Sequence, residues 1–157
     1  MNYKIGETIV HNKLGLCTVK EITKMNDMDY YVLVPNKEDA KVMIPVSNAE
    51  KLTRKLVTKD EIDDLVNKIP DINIDLINDF KTRIKKYDEL LKAGGTENLA
   101  ILARTIYEYK KEKNNLTVAD KEIFKLVEEL LFTELSYVLN INPKDVGKYL
   151  FKNIDKK

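Results

Sequence analysis

Cysteine and histidine are nearly missing from this chain: Cys17 and His11 are the only ones in 157 residues. A lone thiol cannot close an internal disulfide, and one thiol with one imidazole cannot assemble a zinc ligand set. Cys17 therefore reads as a small apolar strand residue in a reducing compartment, and His11 as a partly packed residue at a strand end. Long apolar runs are absent too. None approaches the roughly 18 to 20 residues that a membrane span needs, and Met1-Asn2-Tyr3-Lys4 lacks the apolar core of a signal peptide. These features predict a cytoplasmic protein with no membrane partner.

Charge of one sign is also lacking. The chain balances 27 basic against 26 acidic residues, a net charge of +1, so overall electrostatics does not mark it as a nucleic-acid binder. Only Arg54, Arg83 and Arg104 are arginine. Lysine is a point charge suited to phosphate, whereas the arginine fork reads guanine edges. Any DNA contact should therefore come from a local patch and fall on the backbone rather than on bases.

Motifs that carry catalysis are missing as well. There is no nucleophile elbow, no metal-spaced His/Glu pair and no phosphate-cradling loop. Gly94-Gly95 follows a helical pattern instead of opening a helix after a strand, and so reads as a helix stop. The pairs Asp63-Asp64 and Glu128-Glu129 are adjacent, which turns their side chains about 100° apart on a helix. No enzyme activity, metal or cofactor is expected.

What is present divides into two parts, residues 1–55 and 56–157. The first reads as β structure. Thr8-Ile9-Val10 is a short run closed by Asn12 and Lys13, and residues 14–22 follow, with Gly15 a bulge or close backbone approach. Asn26-Asp27-Met28-Asp29 is a turn cluster ahead of Tyr30-Tyr31-Val32-Leu33-Val34, the clearest strand. Lys41-Val42-Met43-Ile44-Pro45-Val46 forms another, and Pro45 should place it at an edge or an end. Four or five short strands at this spacing predict a small, strongly bent barrel.

From Thr58 the period becomes helical. Thr58-Lys59-Asp60-Glu61 is a capping box that opens a helix stopping before Pro70. Further helices are predicted over 74–92, 97–113, from Thr117 through Leu135, and over 143–152, where Asn142-Pro143 supplies the start. Short connections between five helices predict a compact bundle. The fold class is thus α+β, a small barrel followed by a five-helix domain. One helix has a local charge bias. Between Lys81 and Lys92 five basic residues (Lys81, Arg83, Lys85, Lys86, Lys92) face Asp88 and Glu89, a balance of +3, and Phe80 stands just before them. An aromatic leading a basic face can wedge into DNA beside phosphate contacts, although a charged face with one core phenylalanine is the commoner arrangement.

The ordered set of residues is familiar. Lys4-Ile5-Gly6-Glu7-Thr8-Ile9-Val10, Leu14-Gly15, Tyr30-Tyr31-Val32-Leu33 and Val42-Met43-Ile44-Pro45-Val46 resemble the CarD/CdnL family of bacterial transcription regulators. The first part is also similar to the polymerase-interacting module of transcription-repair coupling factors. Phe80-Lys81-Thr82-Arg83, Leu90-Leu91 with Gly94, Leu99-Ala100, Leu116-Thr117 to Lys121 and Glu134-Leu135 follow the order of the family's C-terminal helices. The resemblance spans nearly the whole chain and implies a Tudor-like barrel that binds the RNA polymerase β subunit by pairing strand edges. Val42, Met43, Ile44 and Pro45, with Met25, are the implied polymerase contacts. It further implies a helical domain lying on promoter DNA at the upstream edge of the transcription bubble. Phe80 matches the family's wedging tryptophan there, with Arg83, Lys85 and Lys121 at basic DNA-facing positions.

Two departures stand out. Phenylalanine replaces the tryptophan, losing the indole donor and some area, and Met43 stands where some members have an arginine that contacts polymerase. The function implied is a monomeric regulator that stabilises the open promoter complex through sequence-nonspecific minor-groove contact. The alternative is an adaptor on RNA polymerase that does not touch DNA, which the neutral charge and the absent tryptophan favour.

Overall fold

The computed structural model describes residues 2–154. The chain forms two compact units, one running to Leu56 and the other starting at Val57.

The first unit is a five-stranded antiparallel sheet in the order β4-β3-β2-β1-β5, made of β1 (Thr8–His11), β2 (Gly15–Met25), β3 (Met28–Pro35), β4 (Val42–Pro45) and β5 (Thr53–Lys55). A one-turn helix, α1 (Ala49–Leu52), precedes β5. The barrel expected from strand spacing does not close: β4 and β5 are the two borders of an open sheet. Two hairpins set the register. The first joins His11 to Gly15 across three residues, and Gly15 takes a positive φ of 76°, the left-handed residue such a loop requires. The second joins Met25 to Met28 through Asn26 and Asp27, both at positive φ (52° and 63°), the signature of a type I′ turn. A register shift between Val19 and Glu21 marks a bulge in β2, a device that bends a strand without losing its neighbours.

Alternation along the strands builds the core. Ile9, Cys17, Val19, Tyr31, Leu33 and Ile44 are buried together with Ala49 and Tyr3. The Tyr3 hydroxyl pairs with the Thr53 hydroxyl at 2.9 Å, and its amide donates to the Tyr31 hydroxyl at 3.1 Å, which ties the N-terminal segment across the sheet. Cys17 is fully buried and burial pushes its thiol up to about 11, so it stays protonated and inert at neutral pH. His11 Nδ1 accepts the amides of Lys13 and Leu14 at 3.1 and 3.2 Å. Burial first, then the Lys13 charge, hold the imidazole below its ordinary pKa, in keeping with a neutral ring that accepts at Nδ1.

The second unit is helical. α2 (Lys59–Lys68) opens with the expected capping box: Thr58 accepts the Glu61 amide at 3.1 Å and Glu61 accepts the Thr58 amide at 3.0 Å. α3 (Phe80–Ala93) begins six residues later than the pattern predicts. Residues 74–78 carry no helical turn, and Ile74, Leu76 and Ile77 are only half-buried. Asp79 is the actual cap, accepting the Thr82 amide at 3.0 Å and its hydroxyl at 2.6 Å. α4 (Gly95–Lys113) starts immediately after Gly94, whose φ is 66°. α5 (Val118–Val127) runs through one wide π turn (Glu128–Phe132) into α6 (Thr133–Leu139), and α7 (Pro143–Leu150) starts behind the Asn142 cap.

Ile62, Leu65, Leu102, Ile106, Leu131 and Leu135 anchor the helical core. Within it Glu134 is fully buried and accepts the Val57 amide at 2.9 Å, which fixes the start of this unit onto α6.

Candidate functional site

Each unit carries a candidate contact surface. In the sheet it lies at the β4 border. β4 bonds to β3 on one side only, in the register Tyr30↔Pro45, Tyr31↔Ile44, Val32↔Met43 and Leu33↔Val42. Alternate residues of such a strand turn their N–H and C=O groups away from the sheet, a template for another strand. Successive side chains point to opposite faces. Ile44 and Val42 therefore share the face of Tyr31 and Leu33; Ile44 is 3% exposed and Val42 packs against the core. These two expected contacts can serve a partner mainly through backbone.

Met43 and Pro45 turn to the other face, with Val32 and Tyr30. Met25 shares that face, because it pairs with Met28, two residues before Tyr30. Met25, Met28 and Met43 are 49%, 45% and 41% exposed. Flexible, polarisable side chains of this kind adapt to partner surfaces. Met28 was not singled out from the sequence, although a two-residue turn at Asn26 and Asp27 is enough to set it opposite Met25.

In the helical unit the site centres on an ion pair. Arg83 donates from Nε to Asp120 Oδ1 and from Nη2 to Oδ2, both at 3.0 Å. Its Nη1 donates to the carbonyls of Ile77 and Asn78 at 3.3 and 3.2 Å. The guanidinium also lies 4.4 Å from the Tyr109 ring centroid and 5.5 Å from that of Phe80. Arg83 is only 3% exposed, so its guanidinium is engaged within this network rather than open to solvent. Asp120 in turn accepts the Thr117 hydroxyl at 2.7 Å and the Thr117 amide at 2.9 Å. Burial pushes the Asp120 carboxyl up, but the Arg83 and Thr117 hydrogen bonds outweigh it and hold the group below its ordinary value of 3.8. The Tyr87 hydroxyl is buried within reach of the Asp120 charge yet outside hydrogen-bond geometry, and burial opposes its ionisation.

The pair brings two of the expected residues to one corner. Phe80 is the first residue of α3, 47% exposed, with its ring against the Arg83 guanidinium. Lys121 follows Asp120 directly and is exposed. Lys85 is exposed as well, but five positions along a helix turn it about 140° from Phe80, so it belongs to a different flank. A cleft of about 520 Å³ adjoins Lys121 and is lined by Lys110, Asn114, Asn115 and Phe124. The αL turn at Asn114 that ends α4 sets Asn114 and Asn115 at this cleft. Among the described residues no group of three or more His, Cys, Asp or Glu could hold a metal ion, and no helix is long and apolar enough to cross a membrane.

Residues 3–57 match the CarD-like/TRCF RID domain and residues 69–151 match the CarD C-terminal domain. The chain belongs to the CarD-like family, whose members are non-enzymatic, RNA polymerase-interacting transcription regulators. No individual curated protein matches it.

Proposed function

We propose that this protein docks on the RNA polymerase β subunit through the β4 border, acts there as a single chain in the cytoplasm, and stabilises the open promoter complex. The observation that carries the first part is an unpaired strand border beside three exposed methionines on one face. Backbone pairing at β4 supplies affinity and Met25, Met43 and Pro45 supply selectivity. In this reading the sheet is the Tudor-like module of the family, used as an open border.

The second part rests on Phe80. A half-exposed ring at a helix start, against a buried ion pair, serves as an apolar wedge, and Lys121, next in sequence to Asp120 of that pair, is exposed for phosphate. Inserted in the minor groove at the upstream bubble edge, such a group resists collapse of the melted region without reading bases. Docking on polymerase raises the effective DNA concentration at this corner, so a near-neutral molecule with few free cations suffices. Arg83 acts here as a positioning residue, and Lys121 and Lys85 as phosphate contacts on two flanks. The test is Phe80→Ala: polymerase binding is expected to be unchanged while open complexes at unstable promoters lose lifetime. Full stimulation by this variant would end the wedge reading.

The burial of Arg83 favours a second reading, an adaptor on polymerase that leaves DNA untouched. The two readings separate on salt. A polymerase–promoter complex whose salt dependence flattens with Lys121→Ala and Lys85→Ala supports DNA contact, and one that does not change supports the adaptor.

A further inference from the structure

A groove next to the Lys121 cleft, with which it shares Phe124, carries a further inference. It is a cavity of about 540 Å³ in the helical unit, opening between α4, the wide π turn and α7. Its floor is aromatic. Tyr107 and Phe151 stack at 6.1 Å and 27°, and Phe124 meets Phe132 edge-on at 6.2 Å and 85°. Its rim is cationic: Lys111, Lys144, Lys148 and Lys152 line it against a single acid, Glu108. Lys111, Lys144 and Lys148 are exposed and make no ion pair among the described residues, while Lys152 lies 4.2 Å over the Tyr149 ring. Glu108 is half-buried and faces Arg104 at 4.0 Å, so part of its charge is turned inward.

Gly147 sits inside α7 on this wall. Its φ is not positive, and a Cβ there would meet only Phe132 ring atoms at 3.8 and 3.9 Å, ordinary contact distances. Packing therefore admits alanine, and a glycine inside a helix costs about 0.5–1 kcal/mol relative to it. What the missing side chain does is leave the Phe132 ring edge uncovered in the groove.

We propose that this groove binds an acidic peptide segment that inserts one or two bulky apolar side chains, a second protein partner distinct from polymerase. The four ammonium groups call for an anionic occupant, and the recessed hydrocarbon floor calls for an apolar anchor. Nucleic-acid bases fit less well. Stacking platforms need ring faces open to solvent, and of these four rings Phe132 is buried, Phe124 and Phe151 are half-buried, and Tyr107 is the exposed one. The inference does not depend on contact between Phe80 and DNA.

The probe is a fluorescein-labelled peptide of aspartate and glutamate around a central Phe-Leu pair, titrated with the full-length protein and followed by anisotropy. Binding is expected, weakening with salt, and weaker by about tenfold for the double variant K144E/K148E. Gly147→Gln, which fills the groove while favouring helix, is expected to weaken it similarly, with helicity checked by circular dichroism; Phe80→Ala is expected to leave it unchanged. Absence of binding overturns the proposal. So does equal binding of a peptide with Ala-Ala in place of Phe-Leu, or tighter binding of a thymidine oligonucleotide that competes for the same lysines. Unchanged affinity in the folded Gly147→Gln protein also overturns it, and if that variant does not fold, the lysine pair alone decides.

Discussion

Removing Arg83 would leave the Asp120 carboxylate in a dry site walled by Tyr87 and Tyr109, with only Thr117 to hold it. Breaking a buried pair in this way costs about 3–5 kcal/mol, whereas replacing both partners costs much less. Arg83→Met is therefore expected to lower unfolding free energy by about 3 kcal/mol in urea titration, and R83M/D120N to recover part of that loss. The pH dependence has a definite sign. A carboxylate whose folded pKa lies below 3.8 contributes stability that is complete above the unfolded carboxylate range and is lost as pH falls through the folded value. Asp120→Asn should flatten the acid limb of the stability curve, and an unaltered acid limb would contradict the assignment. The ion pair also shows where local reading stops. The basic run around Arg83 was legible, but its partner lies 37 residues away in another helix, and counting neighbouring charges cannot find it. Phe80 was legible as an aromatic at a basic helix; that it escapes the core was implied only by the family resemblance.

Elements follow short-range rules closely, and their ends follow caps. The alternation in β3 and the Thr58 box were readable because each depends on residues within a few positions. The start of α3 follows its cap, Asp79 with Thr82 three residues on, rather than the residue 74 start expected from the sequence. The carbonyls of Ile77 and Asn78, freed from helix, are taken by Arg83 instead. The open sheet was not readable at all: closure depends on whether β5 pairs with β4 or β1, and it pairs with β1. At this scale the turn at Asn26 and Asp27 offers a test. Both residues sit at positive φ, where Gly is preferred at the second position. Asp27→Gly is expected to relieve about 0.5 kcal/mol of backbone strain and to slow hydrogen exchange of the hairpin amides between Met25 and Met28. Faster exchange would show that the turn is not of this type.

At the level of the whole molecule, two units each fold around their own core. The sheet brings an apolar border, and the helical unit brings an aromatic corner with lysines. Neither surface is strongly charged, consistent with a net charge of +1, so neither need bind tightly alone. A linked pair of weak contacts gains its strength from effective concentration. The proposed arrangement has the polymerase contact made by a strand.

Amide hydrogen exchange of the full-length protein, with and without the polymerase β subunit, tests that contact directly. Slowed exchange confined to residues 42–44 and the facing hairpin around Met25, with β5 unaffected, is the expected result. Unchanged exchange along β4, or protection appearing at β5 instead, would contradict it.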